Sequence, residues 1–266
     1  MRIALGIEYN GCGFYGWQVQ HDLPTIQKIL QEALSKVANE PIFLHCAGRT
    51  DANVHATGQV VHFDTKAKRH IDAWIWGTNS YLPPSIVVKW AKAVDYSFHA
   101  RFSAIARRYR YVIFNHPIRP AILSQQSVWH YYALDITRMQ QAASYLIGEQ
   151  DFSSFRSSQC NSKSPIRNIT EISIQRHKDL IIFEIEANAF LHHMVRNIAG
   201  VLMKIAGGFK DPEWMKHVLH AKSRQAAAET APAEGLYLTR VYYPKTYVFP
   251  FSDSLSDIIF YIANKG

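Results

Sequence analysis

Along the chain, apolar and polar positions alternate in short runs, broken by two or three longer stretches of helical period. RIALGIEY places Ile3, Leu5, Ile7 and Tyr9 on one face and so predicts a strand. GCGFYGWQVQ follows, rich in glycine and aromatic rings, and predicts a loop with its rings exposed or packed over a cleft. From Thr25 onward, Ile26, Ile29, Leu30, Ala33, Leu34 and Val37 recur at helical spacing. Thr25 is the expected cap of that helix, and Pro41 marks its end. IFLHC predicts a short strand, GRTDANVHA a turn, and TGQVVHFDT a further strand. Residues 71–80 predict a helix ending at the LPPS turn, and IVVKWAKAV predicts a strand.

The remainder repeats this plan. In RRYRYVIF, Tyr109, Tyr111 and Ile113 share one strand face, with Arg108 and Arg110 on the other. NHPIRPAI is a loop, and DITRMQQAASYLIG a helix capped by Asp135. After the polar loop DFSSFRSSQCNSKSP, RNITEISIQRH and LIIFEIEAN form a hairpin across HKD. FLHHMVRNIAGVLMKIAGG predicts a helix stopped by its two glycines. DPEWMKHVLHAK opens another helix at Asp-Pro, and AEGLYLTRVYYP closes with a strand. Each half thus has strands interleaved with about two helices. The expected class is α+β, two similar halves of mainly antiparallel sheet with helices on one face, packed around a central cleft. The expected division is residues 1–104 and 105–266, without a Gly-, Ser- or Pro-rich linker.

Composition narrows the class of partner. With 266 residues, 48% of them hydrophobic, the chain supports a sizeable core. No apolar run approaches the ~20 residues that span a bilayer. The first residues alternate like a strand, unlike a signal peptide. Cys12, Cys46 and Cys160 have neither zinc spacing nor a disulfide framework, so a reducing cytoplasm is the expected compartment. A net charge of +8 favours an anionic partner, and nucleic acid is the commonest one.

Three stretches carry candidate chemistry. In GRTDANVHATGQVVHF, Asp51 lies among donors, and Arg49 and the Thr50 hydroxyl are placed to hydrogen-bond its ionised form. His45, His55 and His62 match no common metal spacing around it, and no second carboxylate lies near in sequence. A lone acid of this kind suits a nucleophile or a substrate anchor; the competing reading is an Asp that caps a surface turn. In the FLHHMVRN helix, His193, Arg196, Asn197 and Gly200 fall on one side, either a solvated face or a functional one. Gly200 there permits close approach by another chain or a ligand. In RRYRY, Tyr109 is by default a core tyrosine. Arginines alternating with aromatic rings also suit RNA, in which unpaired bases stack and phosphates meet cations. Arg101, Arg107, Arg119, Arg156, Lys163 and Arg167 are further basic candidates. There is no P-loop, and GCGFYG lacks the third glycine of a dinucleotide fingerprint.

Together, IALGIEYNGCGFYGWQ, CAGRTDANVHATGQVVHF, FHARFSAIARRYRYVIFN, DFSSFR, ANAFLHHMVRNIAG and AEGLYLTRV resemble the TruA family of tRNA pseudouridine synthases, in that family's order. The resemblance implies a cytoplasmic homodimer without metal or cofactor. It implies isomerisation of uridine at positions 38, 39 and 40 of the tRNA anticodon stem-loop. Asp51 then matches the catalytic aspartate, Tyr109 the tyrosine that stacks on the target uracil, and Arg49 the arginine that opens the target nucleotide. Arg196 matches the basic partner of the aspartate, and Leu236 an apolar wall of the pocket. The family usually has glycine where this chain has Asn53, so Asn53 is expected in a left-handed conformation. The competing functions are a tRNA-binding protein or RNA chaperone without catalysis, and a nucleoside hydrolase or glycosidase, which needs a second acid.

Overall fold

The computed structural model describes residues 1–160 and 162–250. Its strands are β1 (Arg2–Tyr9), β2 (His45–Cys46), β3 (His55–Asp64), β4 (Ile86–Val94), β5 (Ala106–Asn115), β6 (Val128–His130), β7 (Gly148–Asp151), β8 (Ile166–His177), β9 (Leu180–Ala187) and β10 (Leu236–Tyr242). Its α-helices are α1 (Ile26–Ala38), α2 (Ile136–Ser144), α3 (Met194–Ala206) and α4 (Trp214–Ala221). The class is mixed α+β, and most strand pairs are antiparallel. The chain divides into two compact units, Met1–Ile105 with 237–250, and Ala106–Leu236.

In the first unit β1 is central, antiparallel to β3 on one side and β4 on the other. β2 pairs with β3, and β10 joins β3 in parallel through Tyr237–His55 and Leu238–Ala56. Ile3, Leu5 and Ile7 are buried as the alternation requires, and Ala4 between them is buried too, so β1 is covered on both faces. α1 begins where expected, but the Thr25 hydroxyl is buried and bonds to nothing. Backbone carbonyls do the capping: Ile26 N–H donates to Gly16 O (3.2 Å) and Gln27 N–H to Trp17 O (3.0 Å).

Two expected elements differ, and two strands are added. The strand expected over Ile42–Cys46 shrinks to β2, because side chains of α1 take the earlier amides. Ile42 N–H donates to Ser35 Oγ (3.0 Å) and Leu44 N–H to Gln31 Oε1 (3.2 Å). The helix expected over 71–80 is a π-helical turn, Ala73–Gly77, that buries Trp74 against Phe63 and leaves Trp76 exposed. β6 and β7 are strands that the sequence pattern did not predict.

In the second unit β9 pairs with β5 and β8, β8 pairs with β7, and β6 runs parallel to the end of β5. The β8–β9 hairpin turns at Lys178, whose φ is 53°. Tyr111 opposite Phe183, and Ile113 opposite Ile181, form a fully buried face. Asp135 caps α2 as expected, accepting from Thr137 N–H (2.8 Å) and Arg138 N–H (3.3 Å).

His62, on β3, is buried among the rings of His45, His99 and Phe98. Burial, reinforced by His99, Arg2 and His45, lowers its pKa from 6.5 to about 3. The unfolded chain therefore binds a proton in that window that the folded chain does not. His62's contribution to stability is full above about 6.5 and drains away as pH falls towards 3. Urea titrations between pH 7 and 4 should show a shallower loss of stability in His62→Gln than in the unsubstituted protein; equal slopes would refute it.

Candidate active site

The Asp51 turn is built by backbone packing. Gly16, at φ 83°, lies so close beneath it that a Cβ there would come within 2.7 Å of Thr50 O and 3.0 Å of the Asp51 carbonyl carbon. Gly11 approaches the Val54 carbonyl in the same way. The glycines of GCGFYG thus let residues 11–16 lie directly against residues 50–54. Hydrogen bonds fix the contact: Trp17 N–H donates to Thr50 O (2.9 Å), Asn53 N–H to Phe14 O (3.4 Å) and Gly11 N–H to His55 Nδ1 (3.0 Å). The turn closes on itself through Val54 N–H to Asp51 O (3.2 Å).

Side chains beneath the turn complete it. The Tyr9 and Thr50 hydroxyls share a buried hydrogen bond of 2.7 Å. Gln59, fully buried on β3, donates to Gly48 O (2.6 Å), and its Oε1 accepts from Gly48 N–H (3.4 Å). The His55 ring stacks on Tyr237 at 4.6 Å. Thr50 therefore serves the core and does not bond Asp51, contrary to expectation. Arg49 is exposed and, among the described residues, forms no hydrogen bond or ion pair with Asp51. Asp51 itself is half-buried, and Asn53 takes φ 64°, the expected left-handed conformation. Asn is the side chain best able to replace glycine there.

In the second unit, Tyr109 stands half-buried on β5 opposite Ile185, with the Phe190 ring edge-on at 5.0 Å and 82°. Tyr111, two residues on, is a core tyrosine whose hydroxyl donates to Pro232 O (2.8 Å). Burial pushes its pKa far above the ordinary value. The neighbouring arginines do not form the expected open basic row. Arg110 pairs with Glu184 (2.6 Å) and Arg108 with Glu186 (2.9 Å), each directly across on β9. Arg108 also reaches Glu171. These pairs neutralise the row locally and fix strand register.

α3 starts at Met194, later than expected, because His193 adopts φ 62° and cannot continue a helix. His193 therefore does not share the helix face of Arg196, Asn197 and Gly200. That face is covered by the same chain and is not solvated. Asn197 is fully buried, donates to Phe155 O (2.8 Å) and accepts from Thr230 Oγ1 (2.7 Å). Gly200 admits the Glu229 carbonyl to 2.1 Å of where a Cβ would stand. Arg196, in the first turn, is half-buried. Its Nε donates to Ala231 O (2.9 Å), and its own carbonyl accepts from Ala231 N–H (3.2 Å). Leu236 is buried at the start of β10, its N–H donating to Ala233 O (2.9 Å). Tyr9, Gln59 and Phe190 escaped sequence reasoning, since each looked like an ordinary member of a strand or helix pattern. Within either unit taken alone, the described residues include no group of three His, Cys, Asp or Glu ligands close enough to hold a metal.

The first unit thus carries a glycine-clamped acid turn directly ahead of a strand. The family model described as tRNA pseudouridine synthase matches residues 7–103 and 142–244, and the chain belongs to that family. Among curated relatives it is similar to tRNA pseudouridine synthase A of Vibrio vulnificus (strain YJ016), 56% identical over 251 residues, covering 94% of this chain and 95% of that one. It is likewise similar to tRNA pseudouridine synthase A of Coxiella burnetii (strain Dugway 5J108-111), 55% identical over 249 residues with 94% and 95% coverage. The protein of that name from Photorhabdus laumondii is 56% identical over 250 residues, again with 94% and 95% coverage.

The turn geometry makes a direct prediction. Asn53→Gly should fold with the same stability to within a few tenths of a kcal/mol. Asn53→Val, forced into the left-handed region, should lose about 1–2 kcal/mol by denaturant titration. A neutral Asn53→Val would show that the positive φ is not required.

Proposed function

We propose that this protein isomerises uridine to pseudouridine at positions 38, 39 and 40 of the tRNA anticodon stem-loop, with Asp51 as the nucleophile. The observation that carries the reading is the 56% identity to a tRNA pseudouridine synthase A over 94% of the chain. The clamped turn around Asp51 supports it. In the reaction the bond between uracil N1 and ribose C1′ breaks, the base turns, and a bond forms from C5 to C1′. N1 gains a proton and C5 loses one, so no water is consumed and no redox partner is needed. One carboxylate suffices, whether it attacks the ribose, attacks the ring or assists a glycal route.

The base must first leave its stack, at a cost of a few kcal/mol. Arg49, exposed beside Asp51 in sequence, opens the target nucleotide. Tyr109 stacks on the extruded uracil and recovers about 1–3 kcal/mol. Leu236 supplies an apolar wall, and Arg196 keeps Asp51 ionised against desolvation. The protein acts in the cytoplasm as a homodimer that presents both copies to tRNA; the described residues include no helix long and apolar enough to cross a membrane.

Release of tritium from tRNA labelled at uracil C5 tests the central assignment. Asp51→Asn and Asp51→Ala should release none while still binding tRNA. Measurable turnover by Asp51→Ala would overturn the nucleophile. Binding without turnover by the unsubstituted protein would instead favour a non-catalytic tRNA binder.

A further inference from the structure

The segment between β4 and β5 presents an aromatic ring to solvent at a cost the fold does not require. Phe102 is 76% exposed, yet its backbone is tightly held. His99 organises the turn. Its Nδ1 accepts from Arg101 N–H (3.1 Å) and Phe102 N–H (3.3 Å). Its carbonyl accepts from Ser103 N–H (2.9 Å), and its own N–H donates to Ser103 Oγ (2.9 Å). Ala100 between them is fully buried, donating to His62 Nδ1 (3.1 Å) and accepting from the Tyr243 hydroxyl (2.7 Å). The turn is therefore rigid, and its outward residues are Arg101 and Phe102.

These two residues form a composite surface. The Arg101 guanidinium lies 5.5 Å from the Phe102 ring centre, and the His99 ring lies 4.3 Å from it on a 34° tilt. His45 continues the row at 5.2 Å from His99. His45 opens β2, the strand that leads into the Asp51 turn. A pre-organised exposed ring beside a guanidinium and imidazoles matches the chemistry of an unpaired nucleotide, with the base on the ring and the phosphate against the cation.

We propose that Phe102 and Arg101 form a subsite for an unpaired nucleotide of the RNA other than the one that Asp51 acts on. This rests on the proposed function for the identity of the RNA. The two are separable, because the subsite is read by binding and the function by product.

The test uses the full chain and two RNAs: the anticodon stem-loop, and a fully paired duplex of the same stem. Phe102→Ala should weaken stem-loop binding about tenfold, with the activity loss falling on KM more than on kcat, while Phe102→Trp should bind within about twofold of the unsubstituted protein. Duplex binding by Phe102→Ala should change less than twofold. Arg101→Gln should reduce the slope of log affinity against log salt by about one. Unaltered stem-loop affinity in Phe102→Ala, or equal losses for both RNAs, would overturn the subsite. Because Phe102 is exposed, circular dichroism of Phe102→Ala should match the unsubstituted protein, and a misfolded variant is replaced by Phe102→Leu in the same comparison.

Discussion

The contact on which the site depends is between two pieces of backbone: residues 11–16 lying flat against residues 50–54. Side chains cannot mediate an approach this close. At Gly16 any Cβ would stand inside van der Waals distance of the Thr50 carbonyl, and the positive φ independently excludes most residues. The backbone of Asp51 gains a fixed mount from this contact. Tyr9, Gln59 and His55 maintain the geometry from the core side. Preorganisation of this kind lowers the cost of reaching the reactive arrangement.

The second unit solves a different problem. Its strands carry alternating charge that would disturb a sheet, and the cross-strand pairs Arg108–Glu186 and Arg110–Glu184 convert it into register. Tyr109 stands in the same strand, on the opposite face, between a paired cationic row and a buried apolar one. Phe190 packs edge-on against its ring. On α3, Arg196 is positioned by a backbone strap, residues 229–231, that Gly200 admits and Asn197 fastens through Thr230.

Long alternating or helical runs could be read from sequence because burial imposes their period. β1, β4, β5, β8, β9, α1 and α2 all lie close to their expected places. β7, GEQD, has no apolar period and exists only through pairing with β8. The π-helical turn and the late start of α3 reflect single backbone angles that composition does not encode. For the site, residue chemistry marked Asp51 as unusual but leaned towards a surface turn; the ordered family motifs turned the reading towards a catalytic acid. Asn53 was legible from its tolerance of positive φ. The commitment of Thr50 to Tyr9 was not, because its partner lies 41 residues away. Nor were the glutamates that neutralise Arg108 and Arg110, which depend on the β5–β9 register.

The missing side-chain cap of α1 has a dynamic consequence. Because the helix's leading amides bond to Gly16 and Trp17, and the next link runs from Trp17 to Thr50, the helix start, the glycine loop and the acid turn form one chain of backbone hydrogen bonds. Fraying at the end of α1 cannot remain local. These three segments open and close as a single cooperative unit, protected together from amide exchange or exposed together. The backbone that carries Asp51 is therefore tied to the first turn of α1.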